Sequence, residues 1–144
     1  MKIHIINGPN LNLLGKREPE IYGTETFADI LAEMQAQFPE IELSYFQSNH
    51  EGAIIDELQK IFHSDIKGLI INAGAFTHYS YAIYDALKLL NIPKIEVHLS
   101  HIFVRESFRH TSVLAAACEG MISGLGKEGY FCAVRYLWHA DFRR

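Results

Sequence analysis

"HIINGPNLNLLGKREPEIYG", residues 4–23, begins as an apolar run and then leaves every periodic pattern. With Lys2 and Ile3 in front of it, the run over residues 2–7 reads as a short continuous strand buried on both faces. Such a strand belongs to a parallel sheet with helices on either side. Gly8, Pro9 and Asn10 then supply turn chemistry, and a long aperiodic stretch with Lys16, Arg17 and Tyr22 follows. Loops of this length inside compact domains are uncommon and are mostly functional or disordered.

The rest of the chain repeats the strand-then-helix theme. Thr26 and Asp29 read as a capping box ahead of Phe27, Ile30, Leu31, Met34 and Phe38 at helical spacing, with Pro39 as the stop. Residues 41–47 are predicted as a second strand. Ser48 and Glu51 read as another capping pair, opening a helix that buries Ile54, Leu58, Ile61 and Phe62. Residues 68–72, "GLIIN", form a third strand, followed by a loop to Tyr79 and a helix through Leu90. Residues 94–99 make a fourth strand and 100–111 a polar loop. Residues 120–124 are read as a short fifth strand and 127–139 as the closing helix. This alternation predicts one α/β domain spanning residues 1–144. With right-handed crossovers, the expected architecture is a flavodoxin-like three-layer sandwich, its five-stranded parallel sheet in the order 2-1-3-4-5.

Composition narrows the partners. Of 144 residues, 49% are hydrophobic and 21% charged, with a net charge of −4, so no basic sheath for nucleic acid is expected. A small anion gripped by a few arginines is compatible with that balance. Cys118 and Cys132 fit neither a metal spacing nor a disulfide framework and are expected as small core residues. Met1-Lys2 leads straight into a strand, so no signal peptide is expected. No stretch approaches the ~18 apolar residues of a membrane span, and a cytoplasmic location is expected.

In open α/β sheets, ligands bind beyond the carboxyl ends of the strands. The loops that qualify, 8–24, 73–79 and 100–111, hold most of the unusual polar residues. On "IEVHLS", Glu96 and His98 share a strand face and Ser100 joins them at its end. A carboxylate beside an imidazole fixes its tautomer and favours the protonated form, as a general acid requires. The plainer alternative is a buried polar pair tying two elements together. Asn72 and His78 bracket a Gly-Ala turn whose backbone amides could receive an anion, although Asn at a strand end is often only a turn residue. Arg17, Arg105 and Arg109 lie near the same edge, where guanidinium groups would draw the Tyr22 phenol toward phenolate. Tyr22 could equally pack its loop against the body. "GLGKEG" at 124–129 fits G-x-G-x-x-G but lacks the further strand and acidic residue of a dinucleotide site, so it reads as a tight strand-to-helix turn. Histidines 4, 50, 63, 110 and 139 show no metal-ligand spacing and are expected as surface or packing residues.

Taken together, "INGPNLNLLGKREPEIYG", "INAGAFTHYSYAIYDAL", "IEVHLS", "RESFR" and "SGLGKEGYFCAVRYL" resemble the type II 3-dehydroquinate dehydratases, collinearly over residues 2–137. The resemblance implies a flavodoxin-like, cofactor-free and metal-free enzyme that assembles as a homododecamer of trimers. It implies anti elimination of water from the small anionic substrate 3-dehydroquinate, through an enolate, to give 3-dehydroshikimate. Tyr22 would be the base and Arg17 would hold it as phenolate. His98 would be the acid, Glu96 would orient it, and Asn10 would position a water against the enolate oxygen. Asn72, the amides of Leu99 and Ser100 and the Ser100 hydroxyl would grip the carboxylate. His78 and Arg109 would bind ring hydroxyls, and Asp85 would act from a neighbouring subunit. Residues 8–24 would then be an active-site lid, a rigid turn followed by a flexible segment. In this chain His101 stands where the family usually has Asn, and Val104 where it has Ala. Tyr79, Tyr81 and Tyr84 are expected to pack at a subunit contact.

Two other readings share the fold. A receiver module would need acidic residues after the first strand, and a flavin binder a hydroxyl-rich phosphate loop; Ile6-Asn7-Gly8-Pro9-Asn10 supplies neither. The altered loop after Ser100 also leaves room for a dehydratase acting on a related cyclic hydroxyketone.

Overall fold

The computed structural model describes residues 1–142, with side chains throughout except those of Ile21, Tyr22, Asp141 and Phe142. Strands β1 (Lys2–Asn7), β2 (Glu42–Gln47), β3 (Gly68–Asn72), β4 (Lys94–His98) and β5 (Gly120–Ser123) form one sheet ordered β2-β1-β3-β4-β5, every pairing parallel. The helices are α1 (Pro19–Tyr22), α2 (Phe27–Gln37), α3 (Glu51–Phe62), α4 (Tyr81–Lys88) and α5 (Glu128–Phe142). The expected flavodoxin-like order is the observed one.

Strand alternation splits the core into two layers. Ile3, Ile5, Ile70, Ile95 and Val97 face α2 and α5, packing on Phe27, Met34, Phe131 and Leu137. Ile6, Leu69 and Ile71 face α3 and α4, packing on Ile54, Leu58, Ile83 and Leu87. Each such side chain contributes about 1.5–3 kcal/mol by leaving water. By the same parity Glu96 and His98 point to the α3/α4 side, and Asn7 and Asn72 to the α2/α5 side. Asn7 pairs in register with Asn72, and His98 with Ser123, so the carboxyl ends form one edge. That edge is where the polar loops gather.

Local signals held where no tertiary contact competed. The first capping box forms: Thr26 Oγ1 accepts the Asp29 N–H at 3.2 Å, and Asp29 Oδ2 accepts the Thr26 N–H at 3.1 Å. The second does not. His50 occupies the N-cap of α3 without a side-chain cap, and Ser48 Oγ accepts the His50 N–H. The Glu51 carboxylate is drawn across to α4, accepting from Ser80 Oγ at 2.6 Å, while Ser80 caps α4 through the Ile83 N–H. The loop after β3 is a 3₁₀ turn, Gly74–His78, so α4 starts at Tyr81 and leaves Tyr79 in the turn. Two more 3₁₀ turns, Ile102–Val104 and Ser107–His110, organise the loop after β4.

Tyr79 and Tyr81 are exposed, and Tyr84 is half-buried against the α3/α4 core. Both cysteines are half-buried rather than fully in the core. Of the two roles expected for His4, surface or packing, it takes the packing one: it is buried, with Nδ1 2.6 Å from Ser44 Oγ and Nε2 2.9 Å from Glu57 Oε1.

Two glycines fix the functional edge. A Cβ at Gly8 would collide with the Ala73 carbonyl, and the Gly8 N–H donates to Asn72 O at 2.7 Å. The turn after β1 is thereby pressed onto the turn after β3. Gly124, at φ +91°, lies against His101, and its N–H reaches His98 O. The G-x-G-x-x-G segment is thus the strand-to-helix turn expected of it. Among the described residues, no helix is long and apolar enough to cross a membrane.

Candidate active site

A cleft of ≈ 780 Å³, counted out to its mouth, opens over the carboxyl ends of β1, β3 and β4. Its lining brings together Asn10, Arg17, Asn72, His78, His98, Leu99, Ser100 and Arg109, with Arg105 beside them. Sequence positions from 10 to 109 converge because the parallel sheet carries every strand to the same edge.

At its base His98 Nε2 is 2.7 Å from Glu96 Oε2, and both residues are buried. A carboxylate only accepts, so Nε2–H donates and Nδ1 is the nitrogen left for chemistry. The Glu96 side chain stays behind the imidazole and orients it, and of the pair the ring alone meets the cleft. The second Glu96 oxygen, Oε1, accepts from Ser112 Oγ at 2.7 Å.

His78 faces His98 with ring centroids 6.5 Å apart. Its Nδ1 is 2.8 Å from Thr111 O. A carbonyl cannot donate, so Nδ1 bears the proton. Burial pushes the His78 pKa down, helped by His98 and Arg109 and opposed by Thr111 and Glu96. A neutral ring of this tautomer offers Nε2 as an acceptor for a hydroxyl.

Asn72 is held from both ends. Its Oδ1 accepts the Gly74 N–H at 3.2 Å, and its Nδ2 donates to the buried Tyr130 hydroxyl at 3.0 Å. One amide proton remains for a ligand. Arg105 Nη1 donates to Ser100 Oγ at 3.0 Å, and Arg109 Nε to Glu106 Oε2 at 2.9 Å. Val104 is 75% exposed, so its bulk points to solvent and not into the cleft.

The first loop has more structure than its sequence announces. Asn10 adopts the left-handed region at φ 71°, and its N–H donates to Asn49 Oδ1 at 3.0 Å. Gln47 Nε2 donates to Gly8 O at 3.1 Å. Beyond Arg17 the chain makes the single helical turn α1, entered through Glu18 at φ 44° with Pro19 at its first position. Gly15, at φ +88°, lies against the carbonyls of Thr24 and Glu25, which brings the two ends of the loop together. The Tyr22 side chain, expected as the base, lies outside the described residues. Asp85 is exposed on α4 and does not line the cleft.

Several supporting residues escaped the sequence reading. Tyr130 looks like one more core aromatic at the start of α5, and Asn7 like the end of β1, yet the Tyr130 hydroxyl donates to Asn7 Oδ1 at 2.7 Å. Ser112 carries no local signal at all. Among the described residues, no group of three or more His, Cys, Asp or Glu is arranged to hold a metal ion.

The sequence profile of the family described as Dehydroquinase class II matches residues 1–138. The chain belongs to the class II dehydroquinases. It is 53% identical over 135 residues to the 3-dehydroquinate dehydratase of Caldicellulosiruptor bescii, covering 92% of this chain and 93% of that protein. It is 52% identical over 139 residues to the Thermotoga neapolitana enzyme of the same name, covering 95% and 94%. The crystal structure of type II dehydroquinase from Butyrivibrio crossotus superposes with a TM-score of 0.91 at 49% identity, covering 95% of this chain and 97% of that one. A class II dehydroquinase fold therefore accounts for the sheet, its order and the position of the cleft.

Proposed function

We propose that the cleft dehydrates 3-dehydroquinate to 3-dehydroshikimate by anti elimination through an enolate, as a hydro-lyase of the shikimate pathway. The observation that carries this reading is the buried Glu96–His98 pair, which presents one free imidazole nitrogen to a cleft rimmed by three arginines. Tyr22, as phenolate beside Arg17, removes the proton alpha to the ketone, and the C–H electron pair becomes the enolate. Asn10 positions a water against the enolate oxygen, and a donor held there lowers this barrier. Collapse of the enolate expels the β-hydroxyl, which His98 protonates so that it leaves as water.

Buried phenols are unsuited to the base role. Burial pushes the Tyr45 and Tyr130 pKa values up, which leaves both protonated at neutral pH. Tyr22 is instead on the loop that carries Arg17. Asn72, the amides of Leu99 and Ser100 and the Ser100 hydroxyl grip the carboxylate, while His78 and Arg109 take ring hydroxyls. Residues 8–24 act as the lid, excluding water from the charges beneath it. Asp85, exposed on α4, completes the site of a neighbouring subunit in a homododecamer of trimers, working without cofactor in the cytoplasm.

The test is the rise in ultraviolet absorbance as the conjugated enone forms from 3-dehydroquinate. His98→Ala should lower kcat by about 10²–10⁴-fold with the fold retained; near-normal turnover would assign the acid elsewhere. Asp85→Ala should raise KM in the assembled protein, and a fully active monomer would overturn the shared site.

A further inference from the structure

Behind the Glu96–His98 pair stands a second layer of hydroxyls whose polarity follows from the structure. Glu96 Oε1 accepts from Ser112 Oγ at 2.7 Å, and Ser112 Oγ is 3.2 Å from Thr77 Oγ1. Ser112 has a single hydroxyl proton, and Glu96 as carboxylate takes it. Thr77 must then donate to Ser112, whose oxygen also accepts the Ala115 N–H at 3.1 Å. The chain runs one way, from Thr77 to Ser112 to Glu96, with His98 donating into Glu96 from the other side. Thr77 and Glu96 are wholly buried and Ser112 is half-buried between them, so a lost hydroxyl leaves a buried carboxylate oxygen short of its partner.

We infer that Ser112, backed by Thr77, is a positioning residue for the acid His98, acting through Glu96. This rests on the proposed dehydration and on His98 as its acid. A carboxylate held by one hydrogen bond can rotate about its χ3 and take the imidazole with it; a second bond to its other oxygen fixes the plane. With Oε1 held by Ser112 and Oε2 by His98, the carboxylate keeps the imidazole aimed so that Nδ1 faces the cleft. The other ionisable groups around the pair are His78 from the turn after β3, Arg105 and Arg109 from the loop after β4, Arg17 across the cleft and Cys118 ahead of β5. None of these replaces the Ser112 donor on Oε1.

The experiment compares wild type, Ser112→Ala, Ser112→Thr and Thr77→Val by enone formation, using 3-dehydroquinate with and without deuterium at the abstracted position. Ser112→Ala should lower kcat by roughly 10–100-fold, the scale of a hydrogen bond to a charged group, while KM changes less than about twofold. Because only departure of the hydroxyl is slowed, the deuterium effect on kcat should shrink toward unity. Thr77→Val should move kcat and the isotope effect the same way by a smaller factor, and Ser112→Thr should restore most of the rate. A merely structural role would lower thermal stability without changing the isotope effect, and that result overturns the inference. Should Ser112→Ala fail to fold, Thr77→Val decides on the same readouts. Wild-type protein that forms no enone would instead remove the dehydration reading itself, a distinguishable outcome.

Discussion

Tyr130 and Asn72 meet through a 3.0 Å hydrogen bond across 58 positions of sequence, and the same tyrosine hydroxyl donates to Asn7 at 2.7 Å. The helix after the last strand thus orients an amide at the end of the third. Asn72 in turn spends its oxygen on the Gly74 N–H, so its free proton has one direction to point.

Tyr130→Phe tests this arrangement. It removes the hydroxyl and leaves buried Asn7 and Asn72 each short of a partner, at about 1–3 kcal/mol of stability. Asn72 is then free to turn away from the substrate carboxylate. KM should rise several-fold with kcat changed little, and a fall in Tm should accompany it. Unaltered KM would show that Asn72 does not depend on the helix.

Tyr22→Phe should remove turnover almost entirely, by about 10²-fold or more. Arg17→Ala should shift the acidic limb of kcat toward higher pH, because on the proposed reading Arg17 is the cation that holds Tyr22 as phenolate. If Tyr22→Phe forms enone at the wild-type rate, another group is the base.

Acid should weaken the fold through His4 and His78. Burial outweighs the pull of Glu57 and lowers the His4 pKa below 6.5, and burial likewise lowers that of His78. The unfolded chain therefore binds protons more readily than the folded one. Their contribution is fully present above about pH 6.5 and is lost as pH falls below it. His4→Gln should flatten the decline of Tm over that window; an unchanged slope would place the acid sensitivity elsewhere.

Cys118 should be inert in the native protein. Burial first, and then Glu96, pushes its thiol up to about 12, so almost no thiolate exists at pH 8. Mass spectrometry after iodoacetamide should find Cys118 unmodified until the protein is unfolded. Labelling at the rate of a free thiol would contradict the burial.

What could be read from residues alone was whatever depends on short range or on period. The strands, their order, the alternation that pairs Glu96 with His98, and the loops at the carboxyl edge all follow from local pattern and from the handedness of crossovers. Thr26–Asp29 formed its capping box because both partners lie three residues apart within one turn. Ser48–Glu51 did not, because α3 starts from His50, which puts Glu51 in its first position, where the carboxylate accepts from Ser80 of the next helix instead. Tyr130, Ser112 and Gln47 were illegible for the same reason: a core aromatic, a loop serine and a strand-end amide have no sequence mark of what they touch. Only packing brought Tyr130 to Asn72 and Ser112 to Glu96. Hydrogen bonds between groups far apart in the chain are set by the meeting of whole elements, and no single stretch of sequence contains them.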